Sequence, residues 1–470
     1  MNNVFRQSVA VVLALSLTGC AIVSPKLKPD VPVAGAWNEA APASAAVVSP
    51  TWWRSFESVE LSSLVDEALD GSPDLAIATE RVHQAEAQVR VVGASLFPML
   101  SAGGDTSTHR TSGAGGAVTS NATGLSLTAS YELDLWGKNR AGKRSAESSL
   151  AASQFDRDTA RLTLISGVAT SYFDVLALRT RLGIARENLA IAERVLELVS
   201  ARARNGAASA LDVSRQEATV LSQRAALLPL EQLERQTLAA LAVLLGRPPE
   251  GFDVQAAGVV DLAVPAVDPG LPAELLVRRP DLASAEAQLA ASNADVAAAR
   301  AALLPSIKLT GTAGLASGAL LSLVSGGTTS AIGIAASLLQ PIFDGGRLRG
   351  QKAIAESRER ELVETYRKTI LSAFVDVEQA LAGASRQGQQ EQLQDAVQAR
   401  ARESLRLAEV RYRSGADDLL TVLDAQRTLF AAQDQLAQVR LNRLQSAVGL
   451  YKALGGGWSG PEATAAANPS

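Results

Sequence analysis

The chain of 470 residues has one cysteine and two histidines, and only 4% of it is aromatic. A single thiol excludes a disulfide framework and any multi-thiolate metal site. His83 and His109 are too few for a histidine-rich metal centre or a catalytic histidine pair. A basic surplus is missing as well: 44 Lys and Arg face 48 Asp and Glu, for a formal charge of −4. That balance argues against nucleic acid as the main partner, because neutralising phosphates needs excess cations. What the chain does have is 47% hydrophobic residues, supplied mostly by Ala and Leu. Such a composition suits closely packed helices better than a bulky globular interior.

Residues 1–19 are built like an export signal. Arg6 gives a positive n-region and Val9–Leu17 an apolar h-region that is too short to span a bilayer as a helix. The stretch ends in Leu17-Thr18-Gly19-Cys20, which resembles the bacterial lipobox. Small residues before the cut suit the signal peptidase, and the thiol is the nucleophile for thioether formation with diacylglycerol. Cys20 is therefore the expected lipidation site and first mature residue. The covalent lipid on Cys20 is the one non-protein group expected; no cofactor and no metal is. Ala21 follows it where an Asp would favour retention at the inner membrane, so the outer membrane is the expected destination.

Residues 20–60 form a Pro/Ala/Ser-rich segment carrying Trp52-Trp53-x-x-Phe56, followed by a short helix at about 60–70. From there the chain repeats itself. Pro73-Asp-Leu75 matches Pro280-Asp-Leu282, and Pro98 matches Pro305, both 207 residues on. Gly137 matches Gly346, and Arg202-x-Arg204-x-Gly206 matches Arg411-x-Arg413-x-Gly415, both 209 residues on. Four landmarks in one order at a nearly constant offset define two structural repeats, 61–245 and 281–454. A Pro-rich connector (246–280) joins them and a tail (455–470) follows.

Each repeat changes period along its length. Residues 74–96 and 281–303 read as helices. Beyond them Leu125, Leu127, Ala129, Tyr131, Leu133 and Leu135 alternate with Ser126, Thr128, Ser130, Glu132 and Asp134, the two-residue period of strands. Ile307, Leu309, Ala313 and Leu315 behave alike, as do Ile332, Ile334, Ala336 and Leu338. Leu309 to Phe343 holds no charged residue, yet Gly318 and Ser325-Gly-Gly327 signal turns, so the stretch reads as a hairpin of strands. Strands are expected at about 99–110, 122–136, 305–316 and 329–343, of the length that crosses an outer membrane. Helices of about 139–203 and 346–413 come next, with no internal proline. Val175, Leu182, Leu189 and Leu196, with Leu178, Ala185, Ala192 and Val199, give a heptad seam. Return helices are expected at about 211–245 and 418–454, the first kinked or divided at Pro229.

Catalytic chemistry has little to rest on. Gly137-Lys-Asn-Arg-Ala-Gly142-Lys143-Arg144 has P-loop spacing, but Arg144 stands where a Ser or Thr should reach magnesium. Asp212 and Asp424 lie in helices without a Ser, His or Cys partner. No enzyme is read here.

The lipobox, Trp52-Trp53-x-x-Phe56, Tyr131-Glu-Leu-Asp-Leu-Trp-Gly137, Leu244-Leu-Gly-Arg-Pro-Pro249, Pro341-Ile-Phe-Asp-Gly-Gly-Arg347 and Leu423-Asp-Ala-Gln426 together resemble the TolC/OprM-type outer-membrane factors. The likeness is to their lipoprotein branch, the NodT family of RND efflux systems. It implies a mixed α and β membrane protein: a homotrimeric duct whose shared twelve-stranded β-barrel takes four strands from each chain. A long periplasmic helical barrel and a small equatorial domain complete it. The implied partners are two further copies, a periplasmic adaptor (membrane fusion protein), an inner-membrane RND pump and outer-membrane lipid. The implied function is passive exit of small molecules such as drugs. A type I secretion duct for polypeptides and a non-pore periplasmic coiled-coil lipoprotein are the alternatives left open.

The resemblance also makes the turns at Arg204-Asn-Gly206 and Arg413-Ser-Gly415 the constricted periplasmic entrance, about 100 Å from the barrel by helix rise. Asp417 and Asp418 begin the second return helix, where carboxylates favour the dipole. They are candidates for a cation-selective gate, with Tyr412, Arg202 and Arg413 as partners holding the helices together.

Overall fold

The computed structural model describes residues 31–39, 48–113, 116–259, 262–318 and 329–460. The signal segment, Cys20, the Ser325–Gly327 turn and most of the tail lie outside the described residues. The rest divides into two compact units.

The first unit, Arg81–Gln154 with Ser284–Arg367, is built on a four-stranded sheet. Its strands are β1 (Met99–Gly113), β2 (Gly116–Leu133), β3 (Ser306–Ser317) and β4 (Thr329–Leu339), in that spatial order and antiparallel throughout. Several of the expected boundaries move. β2 starts at Gly116, ahead of the alternating stretch, because Gly116–Ala122 pairs only with β1 and has no apolar face to announce it. At their far ends β2 and β4 stop at Leu133 and Leu339, so Leu135 and Phe343 lie in turns. The reason is the same in both repeats. The Asp134 carboxylate accepts from the amides of Asn139 (3.0 Å) and Arg140 (2.9 Å) at the start of the first long helix. Asp344 accepts from Gly346 N (3.0 Å) and Leu348 N (2.9 Å) at the start of the second. A carboxylate on the free N–H groups of a helix start ends the strand and begins the helix.

The helices are α1 (Val59–Gly71), α2 (Pro73–Gly93), α3 (Lys138–Arg204), α4 (Ala210–Leu244), α5 (Pro280–Ala301), α6 (Arg347–Arg413) and α7 (Leu419–Ala453). α3 and α6 have 67 residues each, about 100 Å at the α-helical rise. α4 is not divided: it runs through Pro229. The proline removes one helical N–H, but its turn is exposed, so water can satisfy the carbonyl left over. A window of α3 is apolar enough for a membrane span, but most of it is buried among other helices.

The second unit holds Val31–Glu80, Phe155–Ala283 and the chain from Lys368. Its helical packing follows the heptad only in part. Leu178, Ala185, Ala192 and Val199 are buried as expected, and so are Val175 and Leu182. Leu189 and Leu196 are half-exposed, and Asn188 and Val195 take their places inside. A helix of 3.6 residues per turn drifts from a seven-residue repeat, and here the buried stripe steps to the other flank. Towards the helix ends Val195 and Val199 of α3, Leu405 and Tyr412 of α6, and Leu419, Val422 and Leu429 of α7 form one core.

Elsewhere in this unit the three aromatic residues of the Trp52–Phe56 turn are buried: Trp52 stacks on Tyr451 with centroids 4.8 Å apart, and Phe56 meets Phe173 at 5.0 Å. An extended strap, Asp253–Val259, is tied to α3. Arg179 donates to the Val254 and Ala256 carbonyls and pairs with Glu234 and Asp253, and Glu60 accepts from the amides of Gln255 and Ala256. Burial pushes the Tyr172 hydroxyl up to about 12. It therefore stays protonated and donates to Glu60 at 3.0 Å.

The return helices α4 and α7 end alike. Gly246 (φ 73°) and Gly455 (φ 85°) are left-handed residues just past the helix, the conformation in which glycine is favoured. A methyl group on Gly246 would collide with the Gly71 carbonyl, and one on Gly455 with the Arg278 carbonyl. Gly206 has nearly the same φ, 74°, with nothing near its missing Cβ. We expect Gly206→Ala to cost about 1–2 kcal/mol from the backbone alone. Gly246→Ala and Gly455→Ala should cost more than that and lower the yield of assembled protein several-fold. Urea titration and heat-modified gel migration of the three variants check this ordering.

Candidate functional site

Cross-strand partners lie on one face of a sheet, so the register sorts its side chains. Leu125 faces Gly104 and Leu315, Leu127 faces Ala102, Ala313 and through it Ile332, and Gly311 faces Ile334. With Leu100, Leu309 and Leu338 these make an apolar face on which Ile332 and Ile334 are 85% and 89% exposed. The opposite face carries Ser101, Ser126, Thr128, Ser130, Thr310, Thr312 and Ser337. A sheet with one bare apolar face and one hydroxyl-rich face suits a barrel wall with lipid outside and water within. At the helical side of the sheet the Trp136 indole donates to the Pro305 carbonyl at 2.6 Å and holds the two hairpin exits together.

The P-loop-like stretch belongs to this exit. Gly137 has φ 76°, Lys138 reaches Glu132 at 2.5 Å, and Arg140 pairs with Asp134 at 3.1 Å. Three of its four cations, Lys138, Arg140 and Lys143, are paired with neighbouring acids. His83 lies in α2 and His109 on β1, far apart in sequence and on different elements.

The candidate gate residues come together in the second unit. Gly206 and Gly415 have φ of 74° and 77°, and each turn is closed by the same pair of backbone bonds. Ala207 N donates to Arg202 O (2.8 Å) and Gly206 N to Ala203 O; Ala416 N donates to Arg411 O (2.9 Å) and Gly415 N to Tyr412 O. These bonds satisfy carbonyls that a helix end leaves free. The Arg202 guanidinium lies over the Tyr412 ring, 4.5 Å from its centroid, and donates to the Tyr412 carbonyl. That contact ties the end of α3 to the end of α6.

The aspartates take different parts. Asp418 is the N-cap of α7, accepting from Thr421 N (3.1 Å) and Thr421 Oγ1 (3.0 Å). Asp417 accepts from both arms of Arg411, at 2.5 and 3.0 Å. Arg413 makes only a loose pair with Glu409 at 3.6 Å. The residue that sequence reasoning passed over is thus Arg411. It was already marked by the Arg-x-Arg-x-Gly repeat, but its partner is six residues on, across a turn. Beside these ties α4, α6 and α7 line a groove of about 1140 Å³, with Thr219, Gln223, Leu420, Asp424 and Arg427 on its walls. Among the described residues no cluster of His, Cys, Asp or Glu could hold a metal ion.

An open four-stranded sheet with lipid-suited and water-suited faces, followed by two very long helix pairs with tied ends, defines a channel-forming protein of the outer membrane. The sequence model described as outer membrane efflux protein matches residues 64–247 and 271–456. The chain belongs to that family. It is 42% identical to the pyoverdine export outer membrane protein OpmQ of Pseudomonas putida, over 96% of this chain and 97% of that one. It is 48% identical to OpmQ of Pseudomonas aeruginosa, over 87% of each chain. Among solved structures, the open state of the Neisseria gonorrhoeae MtrE outer membrane channel superposes with a TM-score of 0.83 at 31% identity, covering 93% of this chain and 98% of that one. The protein is an outer-membrane component of a tripartite efflux system, from a family of channels rather than enzymes.

The hydrogen bonds from Arg411 hold the Asp417 carboxyl below its usual 3.8. A lowered pKa stabilises the tie above the ordinary carboxylate range, and the tie is lost as pH falls through the lowered value. Amide exchange across 411–421 should therefore stay slow from pH 8 to 5 once corrected for intrinsic rates. Arg411→Ala should speed it about tenfold at neutral pH, whereas Arg413→Ala leaves it near the wild-type rate. Equal effects of the two variants would show that the Asp417 contact does not order the turn.

Proposed function

We propose that the chain forms a homotrimeric, passive exit duct for small molecules, loaded by an inner-membrane RND pump through a periplasmic adaptor. The observation that carries this reading is the sheet, whose outer strands β1 and β4 each have an edge with no partner among the described residues. Unpaired backbone groups are not tolerated in lipid, so the sheet must close on other copies. Two copies would give eight strands, an interior just wide enough to be filled by side chains; twelve leave room for a lumen. Three copies are therefore the smallest assembly that works as a duct. The relatives named for pyoverdine export support a small-molecule cargo rather than a polypeptide. The cargo passes unaltered in this reading, in keeping with a family of channels.

The tip ties serve, in this reading, as the closed gate. Arg202 on Tyr412 and Arg411 on Asp417 hold the ends of α3 and α6 and the start of α7. The adaptor would release them. Asp417→Ala together with Arg202→Met should then raise single-channel conductance in planar bilayers; unchanged conductance would place the constriction elsewhere.

Two experiments test the rest. Leu127→Asp and Ile334→Asp put a charge on the apolar face, at a cost of about 1–4 kcal/mol each depending on depth. Trimer yield by native mass spectrometry should fall sharply for both, while Thr128→Asp on the other face is tolerated. A monomeric membrane species of the wild-type chain would defeat the duct. Diacylation and N-acylation of Cys20 are checked by mass spectrometry of the mature N-terminus. A peptide that starts upstream of residue 20, or an unmodified thiol, rules out the lipid anchor.

A further inference from the structure

The polar face of the sheet is almost free of charge. Among the described residues its ionisable side chains are Asp105, His109, Glu132 and Lys308. Register separates them into two levels. Asp105 faces Gly124, whereas Glu132 faces Lys308 directly across the β2–β3 ladder. The two levels are eight residues apart along β2, about 27 Å at the strand rise. Glu132 and Lys308 therefore mark the helical end of the sheet, and Asp105 and His109 the far end.

At the helical end every nearby carboxylate is already engaged. Glu132 Oε1 lies 2.5 Å from Lys138 Nζ. Asp134 holds the first amides of α3 and the Arg140 side chain, and Asp344 holds the first amides of α6. Lys308 is exposed and makes no ion pair among the described residues. With Glu132 matched by Lys138 and Asp134 by Arg140, the residual charge at this level of the polar face is the Lys308 ammonium.

We infer that Lys308 faces the lumen and that three copies form a cationic collar where the barrel meets the helices, biasing the duct toward small organic anions. The inference rests on the homotrimeric duct proposed above. A ring of like charges in a polar pore raises the local concentration of counter-charged solute without binding it tightly, because each ammonium remains hydrated and has no second fixed donor beside it. Carboxylate-bearing molecules gain from such a ring, and cationic ones are repelled. A purely structural role is the competing account: Lys308 would then pair with Glu132 across the strands and hold the register.

The two accounts separate on paired variants. Purified wild-type, Lys308→Ser, Lys308→Glu, Lys308→Arg and Glu132→Gln proteins are reconstituted into planar bilayers under a KCl gradient. A collar requires the chloride-to-potassium permeability ratio to fall at least about twofold for Lys308→Ser and further for Lys308→Glu. Lys308→Arg keeps it, and Glu132→Gln raises it. Release of carboxyfluorescein from proteoliposomes, relative to a neutral sugar of similar size, should follow the same order. Trimers that conduct with the wild-type ion ratio in all five proteins would overturn the collar and leave the duct standing. Loss of heat-stable trimer in both Lys308→Ser and Glu132→Gln, with no change of ion ratio in what remains, would assign the pair to register. A wild-type chain that forms no trimer and no conductance overturns the duct and the collar together.

Discussion

Everything in this protein follows from one constraint: a backbone amide or carbonyl placed in hydrocarbon must find a hydrogen-bond partner in the protein. Among the described residues, four antiparallel strands satisfy that demand where β2 and β3 are flanked on both sides but leave the outer edges of β1 and β4 open. The chain is thus folded but unfinished, and its bare apolar face is a second sign of the same fact. Ile332, Ile334 and Leu338 would be a liability on a water-soluble sheet. On a barrel wall they are the part that the membrane covers.

The duplication lets one set of local devices serve twice. Asp134 and Asp344 each stop a strand and start a long helix, Gly206 and Gly415 each turn it back, and Gly246 and Gly455 each seat the end of a return helix against a carbonyl. Where the two copies differ, the difference carries specificity. The first return helix begins with a Ser209–Asp212 capping box, the second with Asp418 and a neighbouring aspartate held by Arg411. Arg202 of the first repeat sits on Tyr412 of the second, while its counterpart Arg411 turns to Asp417. The symmetry supplies the scaffold, and its breaking supplies the ties at the helix ends.

The periodic parts of this architecture were legible in the sequence. Alternation put Leu125 to Leu133 and Ile332 to Leu338 on one face, and the register agrees. The long helices were visible from their lack of proline and, in the first, from its heptad. What was not legible depends on neighbours. Leu189 and Leu196 continue the repeat on paper, yet Asn188 and Val195 are the buried pair, because a seam follows the partner helix rather than the count of seven. Gly116–Ala122 carries no alternation because it pairs with β1 alone. Pro229 was read as kinking or dividing its helix, and α4 is not divided there, its exposed turn leaving the freed carbonyl open to water. At the tip, Tyr412, Arg202 and Arg413 were named together as ties; Arg202 lies on Tyr412, whereas Arg413 reaches Glu409 of its own helix. Asp417 and Asp418 look alike in sequence, and only geometry separates a cap from an ion pair.

A passive duct has to admit its cargo without holding it. Conduction fails if a wall binds too well, so the useful surface is one of many weak and equivalent contacts. The polar face of the sheet fits that need: Ser and Thr hydroxyls and Gly positions recur along each strand, and hydroxyls can exchange partners with water at little net gain. Charged groups could trap a solute, and the carboxylates at the helical end of the sheet are each engaged locally, Glu132 by Lys138, Asp134 by Arg140 and Asp344 by helix amides. At the far helix ends Asp417 and Asp418 each have a local partner too, Arg411 for the one and Thr421 for the other. Selection in such a channel therefore falls to the few groups that stay unmatched, and their sign sets what enters while the energy to move it comes from elsewhere.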